Sequence, residues 1–120
     1  MSGGACILLV EDDDSIREFI EMALTDEGYT VVTASDGAAG LAAASRASPR
    51  LILLDMRMRG LDGWAFSRAY RESPEPHAPI VVLTAARDAG ASAAEIEADG
   101  FLAKPFDLDD LLALVRRFLE

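Results

Sequence analysis

The chain is predicted to fold as an α/β domain with a parallel sheet covered by helices on both faces, and three features predict it. Short apolar runs alternate with stretches of helical periodicity five times, the order of successive strand–helix units. The main runs, Cys6-Ile7-Leu8-Leu9-Val10, Leu51-Ile52-Leu53-Leu54 and Ile80-Val81-Val82-Leu83, are apolar throughout, as strands buried on both sides are. Glu11 with Asp12, then Asp55, Thr84 and Lys104 each stand at the downstream end of an apolar run. In a parallel sheet the carboxyl ends of the strands line one crevice, and ligands bind there.

The first strand covers about Cys6 to Val10. Asp14 or Ser15 can cap a helix in which Ile16, Phe19, Ile20, Ala23 and Leu24 recur at helical spacing, and Gly28 is placed to end it. Thr30 to Ala34, short and rich in β-branched residues, is the second strand. Asp36 caps an Ala-rich helix to about Ala47, and Pro49 breaks it before the third strand at Leu51 to Leu54. A loop from Met56 to Asp62 leads to a helix over Gly63 to Glu72, with Trp64, Phe66 and Tyr70 as packing residues. The proline-rich stretch Ser73 to Pro79 is a rigid surface connection. Ile80 to Leu83 is the fourth strand, and a weakly patterned helix of Ala, Ser and Glu follows at about Ala89 to Ala98. Phe101 to Ala103 is the fifth strand. Asp107 caps a last helix from Leu108 to about Leu119, with Leu111, Leu112, Leu114, Val115 and Phe118 on its apolar stripe.

At 120 residues, 51% of them hydrophobic, the chain can bury one core and leaves little room for a second module. One domain over residues 1–120 is expected, with Met1 to Gly4 as a loose tail. Asp and Glu number 21 against 11 Lys and Arg, a net charge of −10. That balance opposes direct nucleic-acid binding, which depends on neutralising phosphates with basic residues. The single cysteine, Cys6, cannot form an internal disulfide, and its apolar surroundings suggest a small core residue in a reducing compartment. No apolar run is long enough to span a membrane and no signal-peptide pattern opens the chain, so the expected location is the cytoplasm.

The polar residues that end the strands suit one kind of chemistry. A carboxylate attacks phosphorus poorly because both partners are negative, and the reaction needs a metal and fixed cationic or hydrogen-bonding groups. Asp55 is placed to be the nucleophile, with Asp12 and Glu11 to bind Mg²⁺, which takes hard oxygen ligands. Lys104 can neutralise one phosphoryl oxygen and Thr84 can donate to another, while the small Ala85 leaves room for a donor. The Arg57 side chain either covers the entrance and pairs with phosphate or is solvated. His77, in the proline-rich connection, is read as a surface residue without a partner.

Four motifs in order carry a resemblance: Leu9-Val10-Glu11-Asp12-Asp13; Leu54-Asp55-Met56-Arg57-Met58 with Asp62-Gly63 following; Leu83-Thr84-Ala85; and Lys104-Pro105-Phe106. From the first strand to the last helix the chain resembles the receiver domains of two-component response regulators. The resemblance implies a five-stranded flavodoxin-like sheet in the order 2-1-3-4-5, with Asp55 as phosphoacceptor. It implies Mg²⁺ held by Asp12, Asp55 and the backbone carbonyl of Arg57, with Glu11 acting through a coordinated water. It further implies a cis Lys104-Pro105 bond and a switch pairing Thr84 with the aromatic Phe101. The implied phosphoryl donor is a histidine kinase or a histidine phosphotransfer protein, and the output is contact with a downstream protein rather than turnover of a separate substrate.

Three positions depart from the family pattern. Arg59 stands where proline is usual, Glu97 replaces the glycine usual before the fifth strand, and the interval from Thr84 to Lys104 is shorter than usual. A shortened or irregular fourth helix is therefore expected. Two other readings compete with a stand-alone receiver. One is a receiver-like interaction module that takes no phosphate. The other is a phosphatase resembling the haloacid dehalogenase family, in which Asp12 of Asp12-Asp13-Asp14-Ser15 is the nucleophile.

Overall fold

Five parallel strands, β1 (Cys6–Val10), β2 (Thr30–Ala34), β3 (Leu51–Asp55), β4 (Ile80–Ala85) and β5 (Gly100–Lys104), form one sheet in the order β2-β1-β3-β4-β5. The computed structural model describes residues 6–120, so the expected tail at Met1 to Gly4 lies outside the described residues. Helices α1 (Asp14–Asp26), α2 (Gly37–Ala47), α3 (Gly63–Glu72), α4 (Ala86–Glu95) and α5 (Leu108–Leu119) alternate with the strands. None of these helices is long and apolar enough to cross a membrane.

Alternation of side chains along each strand divides the core into two layers. Ile7, Leu9, Leu51, Leu53, Val81 and Leu83 pack with Ile20 and Leu24 of α1 and Leu111, Leu112 and Val115 of α5. Leu8, Val10, Ile52, Leu54, Ile80 and Val82 pack with Ala43 and Ala44 of α2, Phe66 and Tyr70 of α3 and Ala93 of α4. Both sheet faces are therefore covered, which is why these strands lack polar residues until their last positions. The chain visits β1 and β2 and then crosses back to β3 on the other side of β1. The crevice at this reversal opens at the carboxyl ends of β1 and β3.

Several boundaries differ from expectation for local reasons. Asp13, not Asp14 or Ser15, caps α1: its Oδ1 accepts from the Ile16 N–H at 2.9 Å. Asp14 is already helical and pairs with Arg17 instead. On α1, Ile20 and Leu24 are buried as expected, whereas Phe19 is 44% exposed. Cys6 is only half-buried at the start of β1, and burial pushes its thiol pKa up. The last helix has the expected Asp107 cap, closed into a reciprocal box with Asp110.

The largest shift is at α4, which covers Ala86–Glu95 rather than about 89–98. β4 runs directly into it, and no side chain caps its start. After Ile96 the chain turns back through Glu97 at φ +54°. The Ala98 N–H donates to Ala93 O and the Asp99 N–H to Ile80 O, both at 2.8 Å. Glu97 thus occupies the left-handed conformation that favours glycine, at the position where the family usually has one. The Arg71 guanidinium donates to Ile96 O at 2.6 Å and to Glu97 O at 3.0 Å, satisfying carbonyls that the end of the helix leaves free.

Candidate functional site

Strand register gathers the site. Asp55, the last residue of β3, pairs with Leu83, and Lys104, the last of β5, pairs with Ala85. Glu11 follows β1 and extends its pairing, since the Glu11 N–H donates to Ala34 O at 3.0 Å. Glu11 is fully buried. Its Oε1 accepts from Lys104 Nζ at 2.9 Å and its Oε2 from the Asp13 N–H at 3.1 Å. Asp55 is 5% exposed, and its Oδ1 lies 3.5 Å from Lys104 Nζ and accepts from the Arg57 N–H at 3.4 Å. Asp12 is partly exposed at the mouth. One carboxylate oxygen from each of Glu11, Asp12 and Asp55 lies within 4.8 Å of the others.

The electrostatics follow from this crowding. Burial, then the neighbouring Glu11 carboxylate, push the Asp55 pKa up to about 7, against the opposing pull of Lys104. For Lys104, burial alone favours the neutral amine, but the hydrogen bond to Glu11 and the charges of Asp55 and Glu11 outweigh it and raise its pKa. Three carboxylates share a single nearby ammonium, leaving an excess of negative charge among hard oxygen donors. That donor set fits a magnesium-like cation.

The remaining predicted residues fall into place unevenly. Thr84 is 3% exposed on β4, one residue beyond the partner of Asp55. Phe101 pairs with Val82 and so shares the face of Thr84 by alternation, but it is 49% exposed on the edge strand β5. The Lys104-Pro105 bond is cis, as the resemblance implied. The Arg57 side chain is exposed: its Nε is 3.6 Å from Asp88 Oδ2 and its guanidinium lies 5.6 Å from the Trp64 ring centroid. Arg59 is exposed, yet the loop that holds it is anchored by Met58, 8% exposed, and by the Gly63 N–H donating to Met56 O at 2.9 Å. His77 has a partner after all. Its Nε2 is 2.7 Å from Ser73 O and its ring lies 5.0 Å from that of Tyr70, away from the acidic cluster.

Sequence reasoning missed residues that act through the backbone. Arg17 donates from Nη1 to the Glu11 carbonyl at 2.9 Å, helping to hold the acidic corner. Gly63 has no room for a side chain, because a Cβ there would lie 2.6 Å from Met56 Cα. The Asp62-Gly63 pair was the signal for the second. Nothing in the sequence singled out Arg17.

A doubly wound α/β domain that brings a buried aspartate, two further carboxylates and a lysine to the carboxyl ends of its strands has the residue set that the resemblance implied for a receiver domain. The model of the response regulator receiver domain matches residues 7–116. The chain belongs to that family, whose members are the receiver modules of two-component systems. It is 39% identical over 116 residues to the DNA-binding transcriptional regulator NtrC of Escherichia coli (strain K12), covering 95% of this chain and 24% of that protein. To the transcriptional regulatory protein PcoR of Escherichia coli it is 40% identical over 117 residues, covering 95% and 51%. The chain thus spans between a quarter and a half of the length of these relatives. Among solved structures, the chemotaxis response regulator CheY4 of Vibrio cholerae matches with TM-score 0.87 and 35% identity over 97% of this chain and 99% of that one. A response regulator from Chloroflexus aurantiacus J-10-fl matches with TM-score 0.88 and 32% identity, covering 97% and 98%. Membership of this family sets aside the resemblance to the haloacid dehalogenase family.

Proposed function

We propose that this domain takes a phosphoryl group onto Asp55 from the phosphohistidine of a histidine kinase or histidine phosphotransfer protein, and later loses it to water. The observation that carries this reading is the convergence of Asp55, Glu11, Asp12 and Lys104 at the carboxyl ends of β1, β3 and β5. In this reading Asp12, Asp55 and the Arg57 carbonyl would hold Mg²⁺, and Glu11 would act through a water. When bound, the ion neutralises charge on the phosphoryl oxygens and the attacking carboxylate.

The protein groups do the rest. The Asp55 carboxylate is aimed into the crevice by its place at the end of β3, and the Arg57 N–H restrains one of its oxygens. Lys104 exchanges part of its contact with Glu11 for a phosphoryl oxygen, remaining in a site that burial makes electrostatically strong. Thr84 donates its hydroxyl to another oxygen, and that local bond biases the face formed by α4, β5 and α5. Phe101 follows Thr84 as the mobile aromatic. The half-exposed position of Phe101 supports a ring free to turn. The domain works as one unit over the described residues 6–120 in the cytoplasm, and its own output is contact with a downstream protein rather than nucleic acid or a membrane.

The test is phosphorylation by acetyl phosphate with Mg²⁺, followed by mapping of the acid-stable, base-labile label. One group on Asp55, absent from Asp55→Asn, is the expected result. Label retained in that variant at Asp12 refutes the assignment, and a wild-type protein that stays unlabelled by any donor favours the phosphate-independent interaction module.

A further inference from the structure

The Arg57 guanidinium is a charged group beside the acidic site that the proposed reaction leaves without a task. It stands on a loop that begins at Asp55, and its own N–H already bonds the Asp55 carboxylate. Its side chain is 66% exposed and bridges to Asp88 in the first turn of α4 at 3.6 Å. The Trp64 ring beneath it is fixed in turn, because Trp64 Nε1 donates to Glu95 Oε1 at 2.7 Å. Contacts therefore run from Glu95 through Trp64 and Arg57 to Asp88, joining both ends of α4 to α3 and to the phosphoacceptor loop.

The two ends of α4 are held very differently. At its C-terminal end, Arg71 clamps the Ile96 and Glu97 carbonyls and Trp64 holds Glu95. At its N-terminal end no side chain caps the helix, and Gly90 lies in the following turn. Among the described residues, the side-chain tether there is the Arg57–Asp88 pair, an exposed contact at 3.6 Å of the kind that contributes little on its own. A guanidinium matches phosphate oxygens with a planar fork of donors, and such charge-assisted pairs are stronger than a loose single contact to a carboxylate.

We propose that the Arg57 side chain is a phosphoryl-sensing arm, pairing with Asp88 in the unphosphorylated protein and moving to the phosphoryl oxygens on Asp55. The move releases the first turn of α4 while Arg71 and Trp64 keep the far end pinned, so the helix yields from its N-terminal end. The inference rests on the reading of Asp55 as phosphoacceptor. It gives Arg57 a role in both phosphoryl binding and signal output.

The test uses the 120-residue chain with Mg²⁺ and beryllofluoride as the phosphoryl mimic, followed by amide chemical shifts. In the wild type, loop amides around Asp12 and Asp55 report binding and the amides of residues 87–91 report α4. Because Asp88 competes for the arm, Asp88→Ala should tighten beryllofluoride binding severalfold, whereas Arg57→Ala should weaken it severalfold. The double variant should match Arg57→Ala, and Arg57→Lys, which keeps the charge but not the fork, should fall between. In Arg57→Ala saturated with beryllofluoride, the response of residues 87–91 should fall by at least half. Shifts in affinity of the same sign for Asp88→Ala and Arg57→Ala, additive effects in the double variant, or a full α4 response without Arg57 overturn the arm. No loop response in the wild type overturns the phosphoacceptor reading itself, a result separable from the others.

Discussion

Replacing Asp55 by asparagine should stabilise the protein in the absence of Mg²⁺, and by an amount that depends on pH in a defined sense. Burial and the neighbouring Glu11 carboxylate push the Asp55 pKa up to about 7 in the folded protein, from 3.8 for an ordinary aspartate. Between those values the native state holds a proton that the unfolded chain has released, so stability falls as pH rises through this window. Above pH 7 the full cost is present. At 1.36 kcal/mol per pH unit it reaches at most about 4 kcal/mol. Asparagine carries no charge and keeps an oxygen for the Arg57 N–H, so Asp55→Asn should gain about 2–4 kcal/mol at pH 8 in EDTA. With an unfolding entropy set by 120 residues, each kcal/mol moves the melting temperature by about 4 °C, a rise of about 10 °C. At pH 4 the gain should vanish, because wild-type Asp55 is then protonated too. Mg²⁺ at a hundred times its Kd should lift the wild type by about 2.7 kcal/mol and leave the variant nearly unmoved, closing the gap. Urea denaturation of both proteins at the two pH values, with and without Mg²⁺, measures each quantity. An equal gain at pH 4 and pH 8, or a loss at pH 8, refutes the argument that a buried, crowded carboxylate sits there.

Asp12→Asn should raise the EDTA melting temperature by less than Asp55→Asn, since Asp12 is partly exposed, and should blunt the Mg²⁺ dependence of stability; an unchanged Mg²⁺ titration removes Asp12 from the site. Lys104→Ala leaves the buried Glu11 carboxylate without its cation and should cost about 3 kcal/mol in EDTA as well as slowing phosphorylation, whereas a variant matching the wild type in both assays makes the ammonium a mere surface charge. Glu97→Gly, at φ +54°, should stabilise by about 1 kcal/mol in urea denaturation, and a loss would mean that the Arg71 clamp depends on the Glu97 side chain. Gly63→Ala, which forces a Cβ against the Met56 backbone, should cost about 1–3 kcal/mol and slow labelling of Asp55, and a silent substitution would show that the loop can yield.

Much of this architecture was legible in the chain because its signals are local. Continuous apolar runs marked the strands, Asp36 and Asp107 marked helix starts that the structure retains, and the polar residues closing each run marked one rim of the sheet. Where two local signals competed, the reading slipped. Asp13, Asp14 and Ser15 can all cap, and the backbone geometry at Asp13 chose among them. The bounds of α4 were illegible for the opposite reason: Ala-rich sequence has no strong apolar period, and contacts with Ile80, Arg71 and Trp64 fix where the helix ends. Tertiary structure alone decided that Lys104 rests chiefly on Glu11 rather than Asp55, and that Phe101 stands half in solvent. It also joined Arg57 to Asp88 across a gap of 31 positions. Those outcomes depend on distances between side chains from different strands and helices, and a linear pattern carries residue types and their spacing but not how close such groups come once the sheet twists and packs.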